Sequence, residues 1–302
     1  MVHDTAGDPI TGLRWTRKTT EKIANELKSL GIEVSARTVA RLLKQMDFSL
    51  RVNHKKRSNG SRQDRDAQFA NIADLRENFA SSGDPLISVD TKKKELVGPF
   101  RNPGRAWNQE PINVNDHDYA SLADGKAVPY GIYDPISNRG MVFVGMSYDT
   151  PEFAVDNIEK WLRQEGHKRY RHSTRLGIVA DNGGSNGARC RAWKYGLGKL
   201  AKRHGLKITV AHYPPGASKW NPIEHRLFSE ISKNWQGEPL DSFEKILKYI
   251  RTTGTSTGLR VRAQLVRKRY EKGIKISDAA MRDLCIEAGP RLPQWNYTLL
   301  PG

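Results

Sequence analysis

Pro85-Leu86-Ile87-Ser88-Val89-Asp90 is a short apolar run that closes on a carboxylate. Its length and its Ile and Val predict a strand over 85–91, with the acid at the carboxyl end. The pattern returns in Leu176-Gly177-Ile178-Val179-Ala180-Asp181, which predicts a second strand over 175–181. In open α/β sheets, ligands gather outside the carboxyl ends of strands. A third acid follows in Lys219-Trp220-Asn221-Pro222-Ile223-Glu224-His225. Asn221 is a good N-cap and Pro222 suits the first helical position, so a helix is expected to start here. At about 100° per residue, Ile223, Leu227, Phe228, Ile231 and Trp235 form one apolar stripe, with Glu224 near its middle. An ionised carboxylate on a buried face is costly unless it is paired or bound to a metal.

Each acid alone has an ordinary reading. Asp90 is a turn aspartate, Asp181-Asn182-Gly183-Gly184 is a good turn sequence, and Glu224 bonds the free amides of its own first helical turn. Glu230 is a rival on the flank of the same stripe, and Asp116-His117-Asp118 mimics a metal cluster inside a polar loop. Three coincidences are needed to dismiss the trio. Together the three acids supply hard oxygen ligands of the kind that two divalent ions need to clamp a phosphodiester.

The surrounding pattern sets these acids in an α/β domain. Strands are expected at 127–134 and 140–148, joined through Pro135-Ile136-Ser137-Asn138-Arg139, and another over 207–212. Helices are expected at 151–165, 187–204 and 241–252. The order strand, hairpin, helix, strand, helix, strand, helix predicts a mixed sheet with helices on its faces. A loop rich in polar residues, Pro and Gly fills 97–126, and a helix is expected at 66–80.

The 302 residues include 50 Lys+Arg against 33 Asp+Glu, a formal charge of +17. Such a balance suits a polyanionic partner, and an acidic trio in a basic chain points to nucleic-acid chemistry. Mean hydropathy is −0.67. No apolar stretch approaches a membrane span and no signal peptide is evident, so no membrane partner and a cytoplasmic, nucleoid-associated location are expected. The two cysteines, Cys190 and Cys285, are far apart and read as reduced thiols.

Residues 15–48 read as two helices and a tight turn. Thr20 caps the first, Ile23, Ala24, Leu27 and Leu30 line its inner face, and Gly31 ends it. Ser35 caps the second, with Val39, Leu42, Leu43 and Met46 inward. Its outer face carries Arg37, Thr38, Arg41, Lys44 and Gln45, the pattern of a recognition helix for the major groove. A basic connector, 51–66, follows with Arg51, Lys55, Lys56, Arg57, Arg62 and Arg65, and further cations crowd 254–302.

Taken together, these motifs resemble the DDE transposases of the ribonuclease H-like superfamily. Asn221-Pro222-Ile223-Glu224 is similar to the glutamate motif of mariner-like enzymes. A closer resemblance is to the Rhodopirellula-type DDE transposases. It is carried by Ile87-Ser88-Val89-Asp90-Thr91-Lys92-Lys93-Lys94-Glu95, by Asp181-Asn182-Gly183-Gly184-Ser185-Asn186-Gly187, and by Ser218-Lys219-Trp220-Asn221 through Glu224-His225-Arg226-Leu227-Phe228. Thr257-Gly258-Leu259-Arg260-Val261 and Trp295-Asn296-Tyr297 also fit. The resemblance implies a helix-turn-helix DNA-binding domain over 1–50 and a basic linker and helix over 51–83. It further implies a ribonuclease H-like catalytic domain over 84–253 and a basic extension over 254–302. It implies that Asp90, Asp181 and Glu224 are catalytic and hold two Mg²⁺ or Mn²⁺ ions. Cleavage of element ends and joining of the 3′-OH to double-stranded target DNA follow, by a homo-oligomer assembled on DNA. Lys219 and Arg226 are then candidates for phosphate contact, as are His212, His225 and the Lys92-Lys93-Lys94 run. Relatives carry more helical sequence before the helix pair, so a fragment or truncated copy is expected. Asp181 and Glu224 are farther apart than in mariner-like enzymes, so a differing loop or hairpin is expected between them. A non-catalytic helix-turn-helix protein and a nuclease that cuts without joining remain the alternatives.

Overall fold

A computed structural model describes residues 5–7, 14–16, 18–50 and 62–302. They fall in two compact units, Met1–Arg57 and Ser58–Gly302. In the first unit, β1 (Thr5–Gly7) and β2 (Arg14–Thr16) form an antiparallel ribbon that the sequence did not announce. Next come α1 (Thr20–Ser29) and α2 (Ala36–Gln45). The cap of α1 is Thr19 and not Thr20, because it is the Thr19 hydroxyl that accepts from the Lys22 amide. Ser35 caps α2 as expected, accepting from Thr38. Both helices stop by the same device: a residue at positive φ, Gly31 or Asp47, follows the cap. Beyond it, the amides of Ile32 and Phe48 return to the carbonyls of Leu27 and Leu43, which satisfies free helix-end carbonyls. Ile23, Ala24 and Val39 are buried between the helices, whereas Leu30, Leu42 and Met46, expected inside, are exposed. Two short helices that cross once bury only the residues at the crossing.

In the second unit, α3 (Arg62–Ser82) begins earlier than expected and takes up the last part of the basic connector. Residues 51–61, with Arg51, Lys55, Lys56 and Arg57, lie outside the described residues. The strands are β3 (Leu86–Thr91), β4 (Glu95–Val97), β5 (Gly125–Asp134) and β6 (Arg139–Gly145). Then come α4 (Pro151–Trp161), the single turn α5 (His167–Arg169), β7 (Arg175–Ala180), α6 (Arg191–His204) and β8 (Lys207–His212). A π-helical turn, Glu224–Phe228, runs into α7 (Ser229–Asn234), followed by α8 (Phe243–Arg251) and β9 (Arg260–Val266). The chain continues through α9 (Asp278–Arg282), β10 (Ile286–Ala288) and β11 (Asn296–Leu299).

Among the described residues the strands build a nine-stranded mixed sheet in the order β10-β11-β8-β7-β3-β5-β6-β9, with β4 beside β5. Its centre, β6-β5-β3-β7-β8, has β5 antiparallel to β3 and β6, while β3, β7 and β8 run parallel. This is the α/β, ribonuclease H-like mixed sheet with flanking helices. The stretch 254–302, read as a basic extension, supplies three strands: β9 runs parallel to β6, and β11 pairs antiparallel with β8. Its cations are partly engaged, since Arg262 pairs with Glu165, and Lys268 with Glu152 and Asp156. No hairpin separates Asp181 from Glu224; α6, β8 and short turns fill the interval. No helix among the described residues is long and apolar enough to cross a membrane.

The sheet is buried on both faces, so its strands alternate between two cores. Ile87, Val89, Phe143 and Ile178 pack with α4 and α6 against one face. Val142 and Val144 pack with Ile223, Leu227, Phe228, Ile231 and Trp235 against the other. The Glu224 helix lies unusually close to the sheet because β5 and β6 present glycines to it. A Cβ on Gly131 would stand 2.5 Å from the Phe228 ring, and one on Gly140 2.5 Å from Leu227. Gly131 is the register partner of Asp90, so this close approach fixes the helix beside the first acid. Gly131→Ala is expected to overpack this contact by about 1–3 kcal/mol and to lower the thermal midpoint by several degrees. An unchanged midpoint in a melting experiment would show that the helix does not depend on the glycine.

Candidate functional site

Period-two alternation puts Ser88 and Asp90 on the face opposite Ile87 and Val89, which is the face covered by the Glu224 helix. Asp181 follows β7 directly, on the neighbouring parallel strand. The three acids therefore converge at the carboxyl ends of two adjacent strands.

Asn221 joins them. It was expected to cap the helix with its side chain, but that side chain is fully buried and points into the site. Its Nδ2 donates to Asp181 Oδ1 at 3.3 Å and to the Val89 carbonyl at 3.4 Å. Its Oδ1 accepts from the Ser88 hydroxyl. Ser88 takes over the capping, accepting from the Ile223 amide at 3.2 Å. The Glu224 amide bonds to the Asn221 carbonyl at 3.0 Å. Glu224 opens a π-helical turn, a feature frequent at functional sites. It is half-buried, beside the buried stripe of Ile223, Leu227, Phe228, Ile231 and Trp235.

The acids are strained electrostatically. Burial, and then the charge of Asp181, push Asp90 up to about 8; Glu224 and Asp149 add to the rise, and the Thr91 amide opposes it. Burial pushes Asp181 up to about 6, against the hydrogen bond from Asn221. Burial also raises Glu224, opposed by Lys92 and by a hydrogen bond with Asp90. Neutral acids are the cost of gathering three carboxylates where water is scarce. A bound cation removes that cost, so the donor set, three carboxylates and nothing softer, fits hard divalent ions. No group of three metal-ligating side chains is already gathered into a cage among the described residues.

Behind Asp181 stands His212, fully buried. Its Nδ1 lies 3.1 Å from the Asp181 carbonyl and must carry the proton, because a carbonyl only accepts. Its Nε2 therefore accepts from the Tyr297 hydroxyl at 3.0 Å, and the oxygen of that hydroxyl accepts from Trp193 Nε1 at 2.9 Å. Burial drops His212 to about 4, so it is a neutral positioning group and not a phosphate contact.

Other expectations change as well. Lys92 does not face outward: it is buried, 3.1 Å from Glu95, with Nζ 4.5 Å from the Trp235 ring centroid. Lys93 pairs with Glu95 and Lys94 with Asp149. Asp116, His117 and Asp118 sit on an exposed loop. Glu230 is paired with Lys233, and Asp134 holds the β5–β6 turn through Ile136, Ser137 and Tyr170. Lys219, His225 and Arg226 are exposed. In the first unit Arg37, Arg41, Lys44 and Gln45 are exposed on α2, while the Thr38 hydroxyl is shared with Ser35. Asn221, Ser88 and Asp149 were missed. Asn221 stood in the quoted motif, but a cap reading absorbed it; a buried serine inside an apolar strand was the available signal for Ser88.

The family model of the Rhodopirellula transposase DDE domain matches residues 1–301. Among solved structures, a Mos1 transposase paired-end complex with the left transposon end is similar at 15% identity and a TM-score of 0.43, covering 77% of this chain and 65% of that one. The Mos1 strand transfer complex is similar at 15% identity and a TM-score of 0.45, covering 77% and 64%. The Mos1 mariner paired-end complex with Mn is similar at 15% identity and a TM-score of 0.46, covering 77% and 65%. The chain thus spans less than two thirds of the length of the Mos1 chains it matches. No curated protein matches the chain.

The raised acids predict a pH dependence of stability. Asp90 holds its proton more tightly folded, at about 8, than in its ordinary state at 3.8. The folded state therefore binds more protons across this window, and stability falls as pH rises through it, at up to about 1.4 kcal/mol per unit. Melting in chelator is expected to show the wild type losing midpoint between about pH 4 and 8. Asp90→Asn is expected to be flatter and to melt higher than wild type at the alkaline end. Added Mg²⁺ or Mn²⁺ is expected to restore the wild type more than the variant. Parallel wild-type and variant curves would refute the buried-acid account.

Proposed function

The chain belongs to the Rhodopirellula transposase DDE domain family, and from that membership we propose that it cuts the ends of a mobile DNA element and joins the freed 3′-OH to target DNA. The convergence of Asp90, Asp181 and Glu224 on one sheet face, tied together by Asn221, carries this reading. The three carboxylates would hold two Mg²⁺ or Mn²⁺ ions. Such ions supply positive charge at the attacked phosphodiester and at the departing oxygen.

The protein's own groups supply position. Asn221 turns the Asp181 carboxylate toward the other acids, and neutral His212 fixes the Asp181 backbone. Ser88 locks the helix start that carries Glu224. Exposed Lys219 and Arg226 flank Glu224 in sequence and suit phosphate oxygens. In cleavage, a water oxygen bonds to phosphorus, the 3′ oxygen leaves with the bonding pair, and it takes up the proton that the water gives up. In joining, the 3′-OH oxygen bonds to a phosphorus of the target strand, whose own 3′ oxygen leaves with the bonding pair and takes up the proton. No protein nucleophile is needed. In the first unit, Arg37, Thr38, Arg41, Lys44 and Gln45 of α2 form the proposed duplex-reading face of a helix-turn-helix domain. The chain is proposed to act on double-stranded DNA as a homo-oligomer.

The test is cleavage and joining of labelled DNA carrying the element's ends, in Mg²⁺ or Mn²⁺. Wild type runs beside Asp90→Asn, Asp181→Asn and Glu224→Gln. Each change is expected to cost about a thousandfold or more in rate, several kcal/mol of barrier, while DNA binding survives. Activity that persists in all three variants would sink the assignment. Cutting without joining would leave a nuclease.

A further inference from the structure

Next in sequence to Asn221, whose side chain holds Asp181, stands an aromatic group that the proposed chemistry does not use. Trp220 immediately precedes Asn221, at the end of the 3₁₀ turn Ser218–Trp220. Its backbone is fixed on both sides: the Trp220 amide bonds to the Ala217 carbonyl at 2.8 Å, and the Asn221 amide to the Ser218 carbonyl at 2.8 Å. The indole stands edge-on to Phe69 of α3, with ring centroids 6.1 Å apart at 82°. Phe69 packs in turn on Tyr213 at 6.2 Å. Despite this support, 53% of Trp220 is exposed, whereas Trp193 and Trp235 in the same unit are buried. Trp220 is thus held in place with half its surface open to solvent. Two cations flank the pair: Lys219 Nζ lies 5.0 Å from the Trp220 ring centroid, and the Arg65 guanidinium 5.8 Å from that of Phe69.

A nucleotide offers a phosphodiester and a flat base. The acid site addresses the first, and the flanking cations address neighbouring phosphates. A rigid aromatic ring addresses the second without regard to sequence, because every base has a π face. We propose that Trp220 is a base-stacking platform, which holds the base of an unpaired nucleotide beside the phosphodiester presented to Asp90, Asp181 and Glu224. This rests on the DNA-processing reading above. Lys219 covers the ring with a flexible stem and exchanges that contact for a phosphate when the base arrives. Trp220 is one residue from the amide that touches Asp181, so stacking would set the register of the strand relative to the acids.

The test uses the full chain and two single strands of equal length and charge, oligothymidylate and its abasic counterpart, with anisotropy as the readout. Wild type is expected to prefer the base-bearing strand. Trp220→Ala is expected to lose on the order of tenfold on that strand and little on the abasic one. Trp220→Phe should keep most of the preference, and Lys219→Ala should weaken both strands alike. A strand carrying 5-iododeoxyuridine should photocross-link to Trp220. The proposal is overturned if wild type and Trp220→Ala show the same ratio between the two strands. It is equally overturned if the variant weakens both strands together with a lower melting midpoint, which is the signature of a packing role. The readout is independent of cleavage. A chain that prefers bases but does not cut keeps the platform and loses the transposase chemistry. A chain that cuts without preferring bases does the reverse.

Discussion

One buried amide sets the geometry of the site. The Asn221 side chain reaches the strand of the first acid, through Ser88 and the Val89 carbonyl, and the carboxylate of the second. Its carbonyl holds the amide of the third. A buried donor or acceptor left without a partner costs about 1–3 kcal/mol, so each bond enforces the others. The Asn221 Nδ2 can only donate, and so it must face acceptors such as Asp181. An aspartate there would bring a further negative charge against Asp181. The spacing of the acids is thus a property of a packed, hydrogen-bonded interior, which is more precise than a loop.

That precision has an electrostatic cost. The chain is strongly basic, yet what opposes burial at Asp90 and Asp181 is a hydrogen bond to each rather than a nearby cation. Lys92, the cation coupled to Glu224, is desolvated and committed to Glu95 and the Trp235 face. Burial and mutual repulsion therefore hold Asp90 and Asp181 partly or wholly protonated near neutrality. In the proposed function a divalent ion would take the place of those protons, and the positive charge of the chain would favour a polyanion over a small acidic metabolite.

The sheet was legible because local signals agree with the fold. The β3, β5, β6, β7 and β8 runs are apolar, short and punctuated by turns, and each was read within a few residues. What was misread depends on partners distant in sequence. Asn221 carries every local mark of a cap, but Ser88 takes that role from another strand, so the side chain is free to turn inward. Lys92 sits in a run of three lysines that reads as surface, until Trp235 covers it. Leu42 and Met46 fall at helical spacing but outrun the short crossing of α1 and α2. The strands β9 and β11 were hidden because cations dominate their neighbourhood, although Val261 and Ala263, and again Tyr297 and Leu299, alternate inward.

The last of these has the widest consequence. Tyr297 on β11 anchors His212, which anchors the Asp181 backbone. Asn296 beside it exchanges two side-chain hydrogen bonds with Gln68 of α3, and Gln68 also donates to the His212 carbonyl at 2.8 Å. The wall behind the second acid is therefore built from the beginning and the end of the unit at once. Such contacts close some of the longest loops among the described residues, at a high entropic cost. Asp90 takes its strand position from β5 and β7, and Asp181 takes its own from β7 between β3 and β8, with β11 completing the wall behind it. Damage to Tyr297 or Asn296 would loosen Asp181 while leaving the central sheet standing.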